Sequence, residues 1–170
     1  ELRKAVIEAI IQSPDEDMKR EGMYVNLVVI NTVTDECLWS GGRTPLWIFR
    51  NNDSGTRITG ISADKIEEYK PENPSVALRK QMKDFKYRKV YLHKGDIMYL
   101  FTDGIIDQFG GNEGKKFSSK RLKQLISENA DKPMSIQKEI IEKALDEWQN
   151  PVDLEFFEQV DDITLFGIKA

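Results

Sequence analysis

The sequence has very few of the side chains that form disulfides and nitrogen- or sulfur-ligated metal sites. Its 170 residues include one cysteine, Cys37, and one histidine, His93. A single cysteine excludes an internal disulfide and provides no thiolate pair for a metal, so we expect a reducing compartment, the cytoplasm. We interpret His93 as a solvent-facing strand residue rather than as a general acid.

Long apolar runs are also missing. Stretches such as 27–30 are far shorter than the roughly 20 residues that cross a bilayer, and no secretory signal is visible. We therefore expect no membrane contact within this chain. With 39% hydrophobic residues and a net charge of −4, the composition is typical of a single globular domain, 1–170, with a modest core.

The sequence has no excess of positive charge, since its 25 Lys and Arg residues are outnumbered by 29 Asp and Glu residues. This balance argues against a nucleic-acid partner. One local basic cluster stands out, formed by Lys115, Lys116, Lys120, Arg121 and Lys123. We interpret it as the solvated start of a helix rather than as a docking patch for a phosphopeptide.

The spacing of apolar residues predicts an α+β chain. The predicted helices lie at 1–12, 117–129 and 134–149, and the predicted strands at 23–31, 37–40, 46–50, 57–61, 85–93, 97–101 and 163–168. Residues 62–84 are rich in charge and proline, which predicts a long loop with one helical turn at 75–83. Trp39, Trp47 and Trp148 are expected to pack in the core.

Two acidic motifs flank apolar strands in opposite senses. Asp103 follows the strand at 97–101, and Asp161 with Asp162 precedes the strand at 163–168. If these strands are antiparallel neighbours, the end of one meets the start of the other, so Asp103 and Asp161 converge. Two carboxylates held together repel each other unless a cation lies between them.

The motif from Tyr99 to Gly104, followed by Asp107 and Gln108, combines with the motif from Gln159 to Leu165 in a family resemblance. Together they resemble the metal-dependent serine/threonine phosphatases related to protein phosphatase 2C, and most of all the bacterial SpoIIE and RsbU-like branch. The segments at 41–47 and 110–117 resemble further loops of that branch.

This resemblance implies a central antiparallel β-sandwich flanked by α-helices. It also implies two manganese or magnesium ions, which activate a water for attack on a phosphoserine or phosphothreonine. Asp103 and Asp161 match metal ligands of the family, and Gly104 matches the glycine beside the first ligand, with a backbone role only. Asp107 and Asp162 lie near the site, but the match supports neither as a ligand, and no side chain is assigned as catalytic.

Asp107 has two interpretations at this point. It could orient a water at the metals, or it could simply occupy the first turn of a short helix, where an acid suits the helix dipole. For Asp162, a supporting or surface role is favoured over that of a ligand.

The sequence also departs from the family pattern. It lacks the Asp-x-x-Gly-His-Gly type motif whose aspartate bridges the two metals, and it lacks the Pro-Leu-Gly or Pro-Ile-Gly element expected between 61 and 85. Arg43 and Thr44 replace smaller or amide residues. We therefore interpret 1–170 as the C-terminal portion of a SpoIIE-type domain without its N-terminal strands, or as a shortened relative with an incomplete site.

Three functional hypotheses follow. The first is a phosphatase of bacterial signalling that acts on a phosphorylated regulatory protein, with the isolated chain weak or inactive. The second is a catalytically incomplete module that acts in protein interaction. The third is an output element whose helix at 1–12 continues from an upstream sensor domain. Because missing strands would leave sheet edges unpaired, we also expect self-association, or a partner, near 23–31.

Overall fold

The computed structural model describes residues 8, 22–51, 66–71, 76–77, 86–152 and 155–170. In these ranges the strands are β1 Gly22–Met23, β2 Asn26–Asn31, β3 Glu36–Gly41, β4 Leu46–Phe49, β5 Ile66–Tyr69, β6 Val76–Ala77, β7 Arg88–Tyr91, β8 Ile97–Phe101, β9 Phe109–Gly110, β10 Lys115–Lys116 and β11 Leu165–Lys169. The helices are α1 Gly104–Asp107, α2 Ser118–Asn129 and α3 Met134–Gln149. The predicted helix at 1–12, apart from Glu8, and the predicted strand at 57–61 lie outside the described residues. None of the described helices is long and apolar enough to cross a membrane.

The chain divides into two compact units, and the first comprises 1–46 and 70–92. It contains the antiparallel sheet β2-β3-β7 and the two-stranded ribbon β1-β6. Along β2, half-buried residues alternate with exposed ones, and Leu27 and Val29 remain 56% and 55% exposed. Cys37, Trp39 and Val90 are buried on the neighbouring strands. The predicted alternation is therefore present, although the strand expected at 23–31 is interrupted after β1.

The second unit comprises 47–69 and 93–170, and a four-stranded sheet with the order β11-β8-β4-β5 runs through it. β8 pairs antiparallel with both β4 and β11. Four of its five residues are buried, which explains its continuous apolar sequence, since a strand covered on both faces has no polar side. The core consists of Trp47, Phe49, Ile66, Ile97, Tyr99, Phe101, Ile105, Phe117, Leu122, Ile126, Ala130 and Ile141.

Helices α2 and α3 form where the apolar spacing predicted them. The buried face of α2 includes Leu122 and Ile126, and Ile141 of α3 joins the same core. Trp47 is fully buried and Trp148 packs against the core from a partly buried position, as expected. The fold class is α+β with antiparallel sheets, as predicted.

Several boundaries differ from the prediction. The loop expected at 62–84 contains β5 and β6, and β6 occupies part of the expected helical turn at 75–83. Among the described strands β5 lies at the edge of its sheet, so a single buried residue, Ile66, suffices for it, and its own charged residues, Glu67 and Glu68, are exposed. Lys115 and Lys116 lie in β10, before α2, rather than at the helix start.

A buried carboxylate marks the start of β8. The Asp96 side chain is only 2% exposed. It accepts hydrogen bonds from Nη1 of Arg50 at 2.6 Å, from the backbone N–H of Asn51 at 2.9 Å and from that of His93 at 3.0 Å. Burial by itself would raise the pKa of Asp96, but these donors together hold that pKa below its ordinary value. Arg50 also bonds Glu67 of β5, so the same guanidinium links β5 to Asp96.

His93 faces solvent, as predicted, but it lies between β7 and β8 rather than in a strand. Its side chain is 76% exposed, with Nδ1 3.5 Å from Oδ2 of Asp96.

Candidate metal site

The two acidic motifs lie at one edge of the four-stranded sheet. In the antiparallel pairing of β8 with β11, Phe101 is opposite Leu165. The pairing continues beyond the strands, because the N–H of Thr102 donates to the carbonyl of Thr164 at 3.0 Å. The segment that carries Asp161 therefore lies beside the segment that carries Asp103, which confirms the strand arrangement on which the site prediction depends.

The hydroxyl of Thr102 fastens the second motif to the end of β8. It donates to the carbonyl of Asp162 at 2.8 Å and accepts the N–H of Thr164 at 2.9 Å. These bonds hold the main chain on the C-terminal side of Asp161.

Gly104 allows the two segments to approach. A Cβ on Gly104 would lie 2.4 Å from the carbonyl oxygen of Asp162 and 3.3 Å from the carbonyl carbon of Asp161. Any side chain here would push the second motif away, so glycine is required by close contact rather than by an unusual backbone angle. The backbone role expected for Gly104 has this physical basis.

The two candidate ligands occupy different local settings. Asp103 is half-buried and immediately precedes α1, and its carbonyl accepts the N–H groups of Ile106 and Asp107. Asp161 is exposed, and its Oδ1 accepts the N–H of Asp162 at 2.7 Å. The structure thus brings together the segments that carry them, and the role of the two carboxylates as metal ligands stays a prediction.

Asp107 and Asp162 lie close by, with other contacts. Asp107 ends α1, and its Oδ1 is 3.0 Å from Nζ of Lys116 in an exposed ion pair. Asp162 is exposed and contributes its main chain, through the bonds to Thr102 and Asp161 already described. These contacts agree with a position beside the site for both residues.

The donor set fits one hard divalent cation. Carboxylate oxygens are the preferred protein ligands of magnesium, which commonly uses one or two carboxylates and completes its shell with water. Asp103 and Asp161 are two such carboxylates, on segments that the pairing of β8 with β11 sets side by side. Among the described residues, however, no group of three or more His, Cys, Asp or Glu side chains could hold a metal.

Two residues that support this site were not identified from the sequence, Thr102 and Gln108. Gln108 is completely buried, and its side chain bonds the main chain of Glu158 and Val160, just before Asp161. The sequence offered only one indication of their role: one polar residue stands just before Asp103 and the other just after Asp107. Their partners lie 50 to 62 positions away along the chain, so only the fold reveals them.

The basic cluster beyond the acidic loop is divided among separate partners. Lys115 pairs with Glu113, Lys116 with Asp107 and Lys123 with Glu68. The guanidinium of Arg121 lies 3.9 Å from the centre of the Trp148 ring. These four side chains therefore face separate partners; Lys115, Lys116 and Arg121 are exposed, whereas the Lys123 side chain is only 22% exposed.

Comparison with known proteins places this geometry in a family. The model of the SpoIIE family, described as stage II sporulation protein E, matches residues 3–170. Among curated proteins, none matches this sequence.

Several solved structures share the fold. The SiaA-PP2C domain of Pseudomonas aeruginosa is 22% identical, with a TM-score of 0.70 over 99% of this chain and 68% of that one. The phosphatase domain of SpoIIE from Bacillus subtilis is 14% identical, with a TM-score of 0.53 over 98% of this chain and 64% of that one. The RsbU and RsbW domains of a Mycobacterium tuberculosis protein are 15% identical, with a TM-score of 0.62 over 98% of this chain and 40% of that one.

This chain thus spans less than two thirds of the latter two structures. The SpoIIE phosphatase domain has also been solved in a form presoaked with manganese. The family match covers nearly the whole sequence, and the neighbours have the α+β architecture described above. The chain therefore belongs to the SpoIIE family of phosphatase domains with the protein phosphatase 2C fold.

Proposed function

We propose that this chain is part of a metal-dependent phosphatase that hydrolyses a phosphoserine or phosphothreonine of a regulatory protein in bacterial signalling, in the cytoplasm. The observation that carries the proposal is the antiparallel pairing of β8 with β11, which sets the Asp103 segment against the Asp161 segment. The family membership supports the reaction class, and the manganese-presoaked SpoIIE relative supports a divalent metal.

In this proposal Asp103 and Asp161 hold manganese or magnesium through their carboxylate oxygens. Such an ion supplies Lewis-acid activation of water and of the phosphoryl oxygens. The chain itself provides the geometry: Gly104 permits the close approach of the two motifs, and Thr102 fixes the main chain of the second one. Asp107 remains outside the ligand set, since Lys116 pairs with it.

A complete domain of this type is expected to use two ions, which two carboxylates cannot hold. The 170 residues by themselves should therefore hydrolyse phosphoesters weakly or not at all. The alternative function is a phosphatase-like module that acts in protein interaction. The absence of a larger ligand group among the described residues favours that alternative in the isolated chain.

Self-association is a separate part of the proposal. Among the described strands β2 lies at the edge of its sheet, and its Leu27 and Val29 are more than half exposed. An apolar edge strand tends to pair with another chain. Sedimentation of the purified chain should show a dimer or larger species that Leu27→Lys disrupts, and a stable monomer would contradict this expectation.

The test of the proposed reaction uses the full-length protein. Manganese should promote hydrolysis of a phosphoserine peptide or an aryl phosphate, and chelation should abolish it. Asp103→Asn keeps the size of the side chain but removes a ligand charge. The rate should fall more than tenfold, which corresponds to a loss of at least about 1.4 kcal/mol of transition-state stabilisation.

Two further variants serve as controls. Asp131→Asn changes an exposed acid in the turn between α2 and α3, and should leave the rate unchanged. Asp162→Asn should cost less than Asp103→Asn, since the main chain of Asp162 makes its contacts. Activity that survives chelation, or equal rates for Asp103→Asn and Asp131→Asn, would refute the metal-dependent reaction and favour the interaction module.

A further inference from the structure

Gln108 is the most completely buried polar side chain near the acidic motifs, with no exposed surface. Burial of an amide is unfavourable unless its polar atoms are hydrogen-bonded. Here they are: Nε2 donates to the carbonyl of Glu158 at 2.9 Å and to that of Phe109 at 3.0 Å, and Oε1 accepts the N–H of Val160 at 3.3 Å. Two of the three bonds thus reach the segment just before Asp161.

The main chain of Gln108 is fixed as firmly as its side chain. Its N–H donates to the carbonyl of Gly104 at 3.0 Å and closes α1. Its carbonyl accepts the N–H of Phe117 at 2.8 Å and Nε1 of Trp148 at 3.3 Å. The side-chain amide therefore extends from a main chain that is hydrogen-bonded at the end of α1, the helix that begins directly after Asp103.

Asp161 lies between two anchors. Gln108 holds residues 158 and 160 on one side of it, and Thr102 holds residues 162 and 164 on the other. Asp161 itself is exposed, and its carbonyl accepts Nε2 of Gln159 at 2.9 Å. The hydrogen bonds on both sides of Asp161 hold its main chain beside Gly104.

We propose that Gln108 is a positioning residue for the metal site, because it holds the main chain of residues 158–160 so that Asp161 stays within reach of the cation bound by Asp103. This inference rests on the proposed function. Residues that orient metal ligands typically change metal affinity by roughly 10- to 100-fold when they are replaced.

Gln137 offers a matched control. It is the other buried glutamine of the described residues, 2% exposed, and its Oε1 accepts the Tyr99 hydroxyl while its Nε2 donates to the carbonyl of Lys132. These bonds reach neither Asp103 nor the segment 158–162. Methionine has nearly the volume of glutamine and makes no such hydrogen bonds, so Gln108→Met and Gln137→Met remove the same kind of interaction.

The experiment compares the two variants in the full-length protein with three measurements. Gln108→Met should speed the amide hydrogen exchange of residues 158–162, weaken manganese binding measured by calorimetry, and raise the manganese concentration for half-maximal hydrolysis of an aryl phosphate, each by roughly tenfold or more. Gln137→Met should lose as much thermal stability as Gln108→Met does. It should leave unchanged the exchange of 158–162, the manganese affinity and the manganese concentration for half-maximal hydrolysis. A merely structural role would reduce the active fraction without moving those constants.

The outcomes separate this inference from the proposed function. If the wild-type protein binds manganese but hydrolyses nothing, the phosphatase proposal fails, and weakened binding in Gln108→Met still supports the positioning role. Unchanged exchange and affinity in Gln108→Met, equal effects of the two methionine variants, or a wild-type protein that binds no manganese would overturn it. If Gln108→Met does not fold, Gln108→Leu decides in the same way, because it also removes the bonds to Glu158 and Val160 and buries no charge.

Discussion

Strand β8 has an aspartate at each end, Asp96 just before its first residue and Asp103 shortly after its last. The two carboxylates differ in burial and in hydrogen bonding. Asp96 is buried and receives three hydrogen bonds, one from Arg50 and two from backbone N–H groups. Asp103 is half-buried at the opposite end, beside the exposed Asp161 and Asp162. Burial therefore separates a structural acid from a candidate ligand, because a ligand must keep oxygen atoms accessible to a cation.

The largest expected loss of stability follows from removing the ion pair of Asp96 with Arg50 at the start of β8. Asp96→Asn removes the charge that Arg50 faces, and loss of one partner of a buried ion pair leaves the other uncompensated. Because Arg50 is partly exposed and also bonds Glu67, we expect a loss of about 2 to 3 kcal/mol in the free energy of unfolding. Urea unfolding measures it.

Asp161→Asn is the comparison for that variant. Asp161 is exposed and the new amide oxygen can still accept the N–H of Asp162, so stability should change by less than about 1 kcal/mol. Equal losses in Asp96→Asn and Asp161→Asn would remove the distinction between the two ends.

The next effect concerns the candidate site. Gly104→Ala places a methyl group against the main chain of Asp162, which must move, at an expected cost of about 1 to 3 kcal/mol in stability. Manganese binding should weaken, since the move displaces Asp161.

Gly167→Ala is the control on β11. Its new Cβ would meet the end of the flexible Met134 side chain at 2.5 Å, with the Tyr99 ring next at 3.2 Å. Gly167→Ala can lose as much stability as Gly104→Ala without contradicting the proposal. An equal loss of manganese affinity in a calorimetric titration would contradict the placement of the metal site beside Gly104.

The pH dependence of stability also tests the structural role of Asp96. The pKa of Asp96 is lower in the folded than in the unfolded chain, so its contribution is fully present above the unfolded pKa of about 3.9 and is lost as pH falls toward the folded pKa. The urea midpoint of the wild type should therefore fall in acid below about pH 4. Asp96→Asn should flatten this decrease. A residual slope remains from Glu67, whose pKa is also lowered: burial raises it, but bonds from Tyr69 and Arg50 outweigh that effect.

The smallest effect concerns Asp107. Its ion pair with Lys116 is exposed on both sides, with 51% of the Lys116 side chain and 39% of the Asp107 side chain accessible. Exposed pairs contribute little, so Lys116→Gln should change stability by no more than about 0.5 kcal/mol, measured by thermal unfolding. A loss as large as that of Asp96→Asn would show that exposure does not divide the two kinds of acid.

Much of the fold was accessible from local patterns. The unbroken apolar run at 97–101 predicted β8 with its observed bounds, and the three- and four-residue spacings predicted the full extent of α3. The errors lie at edges: β5 has one buried residue among exposed acids, and β7 pairs over only four residues of the strand expected at 85–93. An edge strand is specified by its neighbour more than by its own sequence, so its pattern is weak.

For the candidate site, local sequence patterns could predict the residue types: two acidic motifs, each joined to an apolar strand, with a glycine after the first aspartate. They could not decide which acid is buried and satisfied, because Asp96 and Asp103 both simply flank an apolar run. Only the tertiary structure placed Arg50 beside Asp96, closed the main chain of Asp162 on Gly104 and buried Gln108 under residues 158–160. The physical reason is that these contacts join residues 46 to 58 positions apart, and hydrogen bonding at such separations depends on the pairing of β8 with its neighbours rather than on any local pattern.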